Sequence, residues 1–372
     1  MIEPYSHLSA DWPGYRWDDG AIAAELASIH TQRGSLFMAM QSLGFAVRQE
    51  TCLRVITDDV AQSSKIEGEH LDEGQVRSSI ARKLGMDYAG LPEPDRTVDG
   101  IVEMMLDATQ QFDAPLDIDR ILGWHACLFP AERSGMRKIR TGAFRDDRLG
   151  PMQIVSGPEG RQRVHFEAPA ADRLPQEMDR FLAWFETEKM DPVVKAAIAH
   201  LWFVTIHPFD DGNGRIGRAI MDMALARADG DRQRFYSMSK HICENKRDYY
   251  SELERASRGS MDVTPWVTWF LGRLELALKD ADGVLAAVRR KQLFWDAHGQ
   301  SGLNERQAKV VNMLLEGFRG NLQTAKYAKI AKCSPDSALR DLADLVNRGI
   351  LERGPGGGRS TTYVLVPQFS PD

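Results

Sequence analysis

Cysteine is scarce in this chain and scattered. Cys52, Cys127, Cys243 and Cys333 form no Cys-x-x-Cys pair in 372 residues. That excludes a disulfide framework and a zinc site of the usual spacing, and it leaves buried thiols in a reducing compartment as the expectation. Long apolar runs are missing too: none approaches the ~20 residues of a membrane helix, so no membrane partner is expected. The opening "MIEPYSHLSADWPGYRWDDG" has no basic segment followed by an apolar one, so no secretory signal is read and a cytoplasmic location is expected. Excess positive charge is also absent. A net charge of −6 argues against a nucleic-acid or membrane footprint spread over the whole protein. No internal repeat is visible. What is present, 43% hydrophobic and 27% charged residues, is ordinary globular material, and the length suggests two or three domains of ~100–200 residues.

Apolar spacing of three and four residues predicts helices over most of the chain. It runs through 21–82, 97–112, 118–128, 173–188 and 193–205, then through further helices to about residue 295. Pro92 and Pro94 mark a loop between the first group and the rest. The stretch 142–166 differs: "MQIVSGPEGRQRVHF" carries two β-leaning runs around a turn at 156–160, which reads as a hairpin. Near "DAHGQSGLN" a boundary falls, with Asn304 and Gln307 spaced as a capping pair. Three short helical patterns follow, the third starting at Ser334-Pro335 and ending at Gly349. "ILER" and "TTYVLV" then flank the turn "GPGGGRS". The division expected is 1–95, 96–298 and 303–372, mainly α throughout.

The densest chemistry lies in "IHPFDDGNGRIGRAI", residues 206–220. Residues 212–217 match the glycine spacing of a dinucleotide-binding fingerprint, which needs a strand before it and a βαβ unit around it. Upstream, Val194, Ala197, Ile198, Leu201, Trp202 and Thr205 form a helix face instead, and no second parallel strand follows. The Walker pattern fails as well, since no lysine follows the last glycine. What remains is helix, loop, helix. The start of the second helix offers unpaired N–H groups and the positive end of a dipole. Gly212 and Gly214 let backbone approach an anion, and Arg215 and Arg218 can project on one side. This is a seat for several phosphates in a row. Asp211 beside them calls for a bridging cation, best Mg²⁺. His207, aimed into the loop by Pro208, is the candidate general base. Phosphates, Mg²⁺ and a base together imply transfer from a nucleotide to a hydroxyl. His200 lies seven residues from His207, too far along a helix to share a metal with it; it reads as structural, Asp210 as a loop residue, and Trp266 and Trp269 as core.

"HPFDDGNGR" followed by Arg218 resembles the core motif of Fic-domain proteins, His-Pro-Phe-x-Asp/Glu-Gly-Asn-Gly/Lys-Arg-x-x-Arg, at every defined position. The resemblance extends over about residues 118–271 and implies a Fic-type helical domain with an inserted β-hairpin flap. It implies AMP transfer from ATP to a Tyr, Thr or Ser hydroxyl of a target protein, or of the chain itself. By position it makes His207 the base and Asp211 the Mg²⁺ ligand. Gly212, Asn213 and Gly214 become the anion hole, and Arg215 and Arg218 the holders of the β- and γ-phosphate region. Asn245, Tyr249 and Tyr250 are nucleoside-pocket candidates. Gln153, Ile154 and Val155 become the flap edge that takes up a target by strand addition. Many relatives form dimers.

Far upstream, "SSKIEG" matches the family's inhibitory pattern Ser/Thr-x-x-x-Glu-Gly/Asn through Ser63, Glu67 and Gly68. The resemblance implies that Glu67 pairs with Arg218, fills the γ-phosphate subsite and blocks transfer. Three other outcomes stay open: a Glu67 that also helps remove AMP, a DNA-binding regulator in which the domain only senses nucleotide, and a kinase-like transfer of phosphate, against which the Gly-Asn-Gly-Arg anion hole stands. The last 65 residues or so resemble a winged helix-turn-helix. They carry 10 Lys and Arg against 7 Asp and Glu, a net of +3, and Asp336, Asp341 and Asp344 on the third helix would repel phosphate. DNA and protein contact are left evenly matched as partners of this end.

Overall fold

The computed structural model describes residues 4–86, 90–148, 150–157, 161–299, 302–315, 318, 322–354 and 361–369. The first helical stretch resolves into α1 (Asp19–Gln41), α2 (Phe45–Ile66) and α3 (Glu73–Lys83). Next come α4 (Arg96–Gln110) and α5 (Ile118–Leu128), then a two-residue hairpin that the sequence did not announce, β1 (Arg133–Ser134) and β2 (Arg137–Lys138). The expected hairpin follows as β3 (Gln153–Ser156) and β4 (Arg163–Glu167). Ile154 faces Phe166 and Val155 faces Val164, with a register shift between Ile154 and Val155. The turn residues 158–160 lie outside the described residues. Helices α6 (Leu174–Thr187), α7 (Pro192–Ile206), α8 (Asn213–Asp229), α9 (Met238–Glu244), α10 (Lys246–Ala256) and α11 (Thr264–His298) follow.

Aspartate starts many of these helices. Asp72, Asp95, Asp117 and Asp191 accept N–H bonds from Gln75, Val98, Arg120 and Val193 at 2.8, 2.9, 2.8 and 2.8 Å. Each satisfies an otherwise orphaned amide and suits the helix dipole, worth about 1 kcal/mol apiece.

Contacts divide the chain into two units, Met1–Met38 with Arg48–Lys279, and Ala39–Val47 with Asp280–Asp372. In the first, α7 is apolar all round and is buried on nearly every residue from Val193 to Ile206. Helix α8 packs along it, with α4 on α8 and α6 on α7. Gly217 permits the close approach, since a Cβ there would lie 2.8 Å from Val204 Cγ1. The loop joining these two helices is therefore anchored at both ends in the core, which fixes the residues it carries. No parallel strands occur among the described residues: the sheets are three antiparallel pairs.

The second unit contains α12 (Glu305–Leu315), α13 (Thr324–Ala331), α14 (Pro335–Asn347) and the antiparallel pair β5 (Leu351–Arg353) and β6 (Tyr363–Leu365). Val310, Leu315, Tyr327, Leu342, Leu351 and Leu365 close its core. The capping pair forms reciprocally: Asn304 N–H donates to Gln307 Oε1 at 2.9 Å and Gln307 N–H to Asn304 Oδ1 at 3.0 Å. Ser334 caps α14 with Pro335 behind it. The turn 355–360 is outside the described residues. One expectation needs correcting. Asp341 and Asp344 do not present free charge from α14. Asp341 is buried and takes bonds from Arg306, Asn304 and Tyr327, while Asp344 takes them from Gln307 and Arg348. Of the three acids only Asp336 stands exposed.

Candidate active site

The site is built where α7 ends and α8 begins. His207 caps α7 in the left-handed region at φ 52, and Gly212 caps α8 at φ 85. A non-glycine residue costs about 1 kcal/mol in that conformation, so something must hold it. Arg145 does: its Nε donates to the His207 carbonyl at 2.8 Å, and its backbone N–H donates to the Pro208 carbonyl at 2.9 Å. Asn213 holds the loop from the other side. Its side chain accepts from Phe209 N–H at 3.0 Å and donates to Phe209 C=O at 2.8 Å. The Asn213 side chain is thus occupied in shaping the loop, and its contribution to an anion is through the backbone alone.

His207 Nδ1 lies 3.2 Å from the Val204 carbonyl. A carbonyl can only accept, so Nδ1 carries the proton and Nε2 is left with its lone pair. Burial pushes the imidazole down to about 4, and the bond to Val204 offsets this only in part. The ring is neutral at pH 7, as a proton acceptor must be. His200 is a different case: fully buried, it bonds Tyr249 Oη at 2.8 Å and stacks on Trp266. Trp266 itself donates to the Ala197 carbonyl at 2.9 Å and is core.

His207, Asp211, Gly212, Asn213, Gly214, Tyr249 and Tyr250 all line one cavity of about 580 Å³, with Glu67, Ile154 and Val155. That is an ordinary size for a small-molecule site. Asp210 also lines it, but its Oδ2 accepts from Arg140 N–H at 3.1 Å. Asn245 does not reach the cavity wall; its amide donates to the His241 carbonyl at 3.0 Å within the α9–α10 turn. Gln153 is engaged with Glu167 at 2.7 Å across the hairpin.

The start of α8 is filled from another part of the chain. Glu67 follows directly after α2, turned by Gly68 at φ 88. Its Oε1 accepts from Arg218 Nη2 at 2.8 Å. The same oxygen sits where a Cβ on residue 214 would be, only 2.0 Å from that position. The carboxylate therefore rests on the bare glycine at the helix start, in the place an anion would occupy. Ser63 completes the clamp: Arg218 Nε donates to its hydroxyl at 2.9 Å and Nη2 to its carbonyl at 2.8 Å. Arg218 Nη1 is buried with no hydrogen-bond partner among the described residues, and it lies 3.2 Å from the same Cβ position. Arg218 is wholly buried, so this charge-assisted pair is worth about 1.5–3 kcal/mol.

The contact has a period. Asp59, Ser63 and Glu67 recur every four residues and meet Asp222, Arg218 and Gly214, which recur every four in the opposite direction. Burial lifts the Asp222 carboxyl well above its usual range; Arg234, 2.9 Å away, pulls against this and the charge of Asp59 adds to it. One polar seam joins α2 to α8.

Three residues of the site escaped the sequence reading. Glu69 pairs with Arg215 Nη1 at 2.6 Å, so the two motif arginines are taken by two carboxylates two residues apart. Arg215 is buried and stacked on Phe129 at 5.0 Å. The repeated acid in "EGE" was its only signal. Ser134 of the small hairpin donates to Asp211 Oδ2, and Arg145 sets the His207 backbone; neither belongs to a motif. Asp211 Oδ1 also accepts from Gly212 N–H at 2.5 Å. No group of three His, Cys, Asp or Glu side chains able to hold a metal occurs among the described residues. A lone carboxylate beside a phosphate seat suits Mg²⁺, which keeps water and phosphate oxygens as its other ligands.

Comparison with known proteins agrees with this geometry. The family profile described as Fic/DOC family matches residues 115–225, and a domain of unknown function, DUF4172, matches 5–86. Curated relatives carry the name protein adenylyltransferase Fic. The one from Culex quinquefasciatus is 34% identical over 137 residues, 35% of this chain and 26% of its own length. That from Drosophila yakuba is 26% identical over 261 residues, 68% of this chain and 45% of its own. The chain thus spans less than half the length of these relatives. Among solved structures, a Fic family protein from Desulfovibrio desulfuricans G20 aligns with a TM-score of 0.51 at 24% identity, covering 92% of this chain and 96% of that one. A Fic domain containing signaling protein from Bacteroides thetaiotaomicron gives 0.51 at 20%, covering 70% and 97%. These two speak for the fold. No helix among the described residues is long and apolar enough to cross a membrane. Motif, loop geometry and profile agree on one segment: residues 115–225 match the Fic/DOC family.

Proposed function

We propose that the chain is a protein adenylyltransferase, moving AMP from Mg-ATP to a Tyr, Thr or Ser hydroxyl of a target protein, and that its own DUF4172 segment holds it in check. The observation that carries this is the Glu67 carboxylate seated on Gly214 and bonded to Arg218. A site made to receive phosphate is occupied by the protein's own anion.

In this reading the α8 amides and Arg218 Nη1 take the phosphates, and His207 Nε2 receives the proton of the incoming hydroxyl. Asp211 would hold Mg²⁺, which supplies charge neutralisation along the phosphates. The exposed Ile154 and Val155 of β3 present an edge to the target's backbone. Glu67 excludes the γ-phosphate, and Glu69 does the same office at Arg215. Both must leave before the triphosphate sits in line. The curated relatives' name supports the activity, and the division 1–95, 96–298 and 303–372 is the organisation we assign to it.

Incubation of wild type, Glu67→Gly and Glu67→Gly/His207→Ala with labelled ATP and protein extract tests the reading. Labelling should rise with the first substitution and vanish with the second. A Glu67→Gly protein that binds ATP but labels nothing, whatever target supply is offered, would sink it. Intact mass then tells AMP from phosphate or UMP.

A further inference from the structure

Asp211 is held at more points than a loop aspartate needs. Gly212 N–H donates to its Oδ1 at 2.5 Å, and the Ser134 hydroxyl of β1 donates to its Oδ2. Its main-chain carbonyl is taken as well. Gly142 N–H donates to His125 Nδ1 at 3.0 Å. The ring proton therefore sits on Nε2, which donates to the Asp211 carbonyl at 3.2 Å. His125 is fully buried and stacks on Phe209 at 4.1 Å, so this anchor is rigid. The transfer described above gives neither Ser134 nor His125 a part.

The plain alternative is that Ser134 only fastens its own hairpin. The hairpin is closed without its hydroxyl. Ser134 and Arg137 are ladder partners, Ile139 N–H donates to the Glu132 carbonyl at 3.2 Å, and Arg140 N–H reaches Asp210 Oδ2 at 3.1 Å. The tip stands in solvent, with Met136 94% exposed, so there is no apolar packing at the turn for the serine to secure. Glu132 enters the hairpin in the left-handed region at φ 54, which costs a non-glycine residue about 1 kcal/mol. Strain persists where other contacts over-determine it, and the bond from Ser134 to Asp211 is such a contact reaching into the site.

We propose that Ser134 is the positioning residue for a cation at Asp211, acting on the carboxylate as His125 acts on its backbone. This rests on the reading of Asp211 as the Mg²⁺ ligand of the proposed transfer. A lone carboxylate facing a triphosphate meets two opposed demands. It must come near enough to the phosphate oxygens to share a cation with them, and their charge pushes it away. Tied at both oxygens, it keeps its place before metal and nucleotide arrive. Each carboxylate oxygen has two acceptor sites, so each keeps one for the cation. The serine oxygen keeps lone pairs of its own, able to accept from a water on Mg²⁺, which retains several waters. Partners that orient a metal ligand in this way carry about 10–100-fold of metal affinity.

The test uses the full chain carrying Glu67→Gly, loaded with a non-hydrolysable ATP analogue. The probe is Mn²⁺, its binding read by electron paramagnetic resonance. Adding Ser134→Ala should weaken Mn²⁺ about tenfold to a hundredfold, and Ser134→Thr, which keeps the hydroxyl, should restore most of it. Met136→Ala, on the same hairpin, should change nothing. Affinity for the analogue in excess EDTA should be the same in all of them, because the serine acts through the metal. AMP transfer should divide likewise: the Mg²⁺ concentration for half-maximal rate rises, while the rate at saturating Mg²⁺ falls far less. Unaltered Mn²⁺ binding in Ser134→Ala overturns this proposal, and labelling by the parent then still supports adenylyl transfer. An equal loss in Met136→Ala, or a matching loss of metal-free analogue binding, overturns it too, since either marks a merely structural hairpin. A parent that labels no target, while Ser134→Ala still loses Mn²⁺, overturns the transfer reading and leaves Ser134 its place at the cation.

Discussion

The cavity has two walls of opposite character. One is the α2–α8 seam, where Arg218, Ser63 and the Asp222 carboxyl are buried and the charges meet at hydrogen-bond distance. The other is the β3–β4 hairpin, where Ile154, Val155 and Val164 are exposed and the ladder has a bulge. A triphosphate is the same molecule every time, so rigid, preset charge serves it well. A protein target is chosen by side chains but held by backbone, so an open strand edge suits it. On the proposed reading, specificity for nucleotide and for target would thus reside in different materials.

The comparison can be broken in several places. His207→Ala strikes the residue between the walls and should lower AMP transfer by about 10²–10⁴-fold in the Glu67→Gly background, read from initial rates. Acid acts on stability instead. His125, His200 and His207 are each lowered to about 4 by burial, so the unfolded chain binds more protons between pH 4 and 6.5. Their contribution is full above 6.5 and is lost as pH falls toward 4. Urea midpoints at pH 7 and pH 5 should show the folding constant falling at least about tenfold. Gly214→Ala puts a methyl where the Glu67 oxygen now sits, and it should weaken nucleotide analogues about tenfold even when Glu67 is absent, by calorimetry. An unchanged affinity would show that the helix start is not the phosphate seat. Glu69→Gln removes a carboxylate that is 43% exposed; its surface pair is worth about 0.2–1 kcal/mol, so ATP should bind roughly two- to fivefold more tightly. Smallest of all, Val155→Ser should raise the target KM a few-fold and leave analogue binding alone, since most single interface contacts carry under about 1 kcal/mol.

Much of this was written in short, local stretches. The helix–loop–helix with its glycines and His207 can be read from 206–220 because a dense motif needs no partner to be recognised. Ser63 and Glu67 were legible only through a resemblance; their contact with Arg218 spans more than 150 residues of chain, which no local pattern encodes. Ser134, Arg145 and Glu69 were missed for that reason. The acids of α14 show the opposite error. Asp341 was counted among the acids that would repel phosphate, but it is buried, with side-chain bonds from Arg306, Asn304 and Tyr327. Charge in sequence is not charge at a surface until its partners are known.

Residue 214 has consequences beyond its own size. The Glu67 carboxylate rests there, and on the reading proposed above the substrate's phosphates would rest there too, with only a hydrogen atom leaving room for either. On that reading, adding a single carbon would spoil the brake and the engine together, and substitution at this one position would give no route to permanent activity.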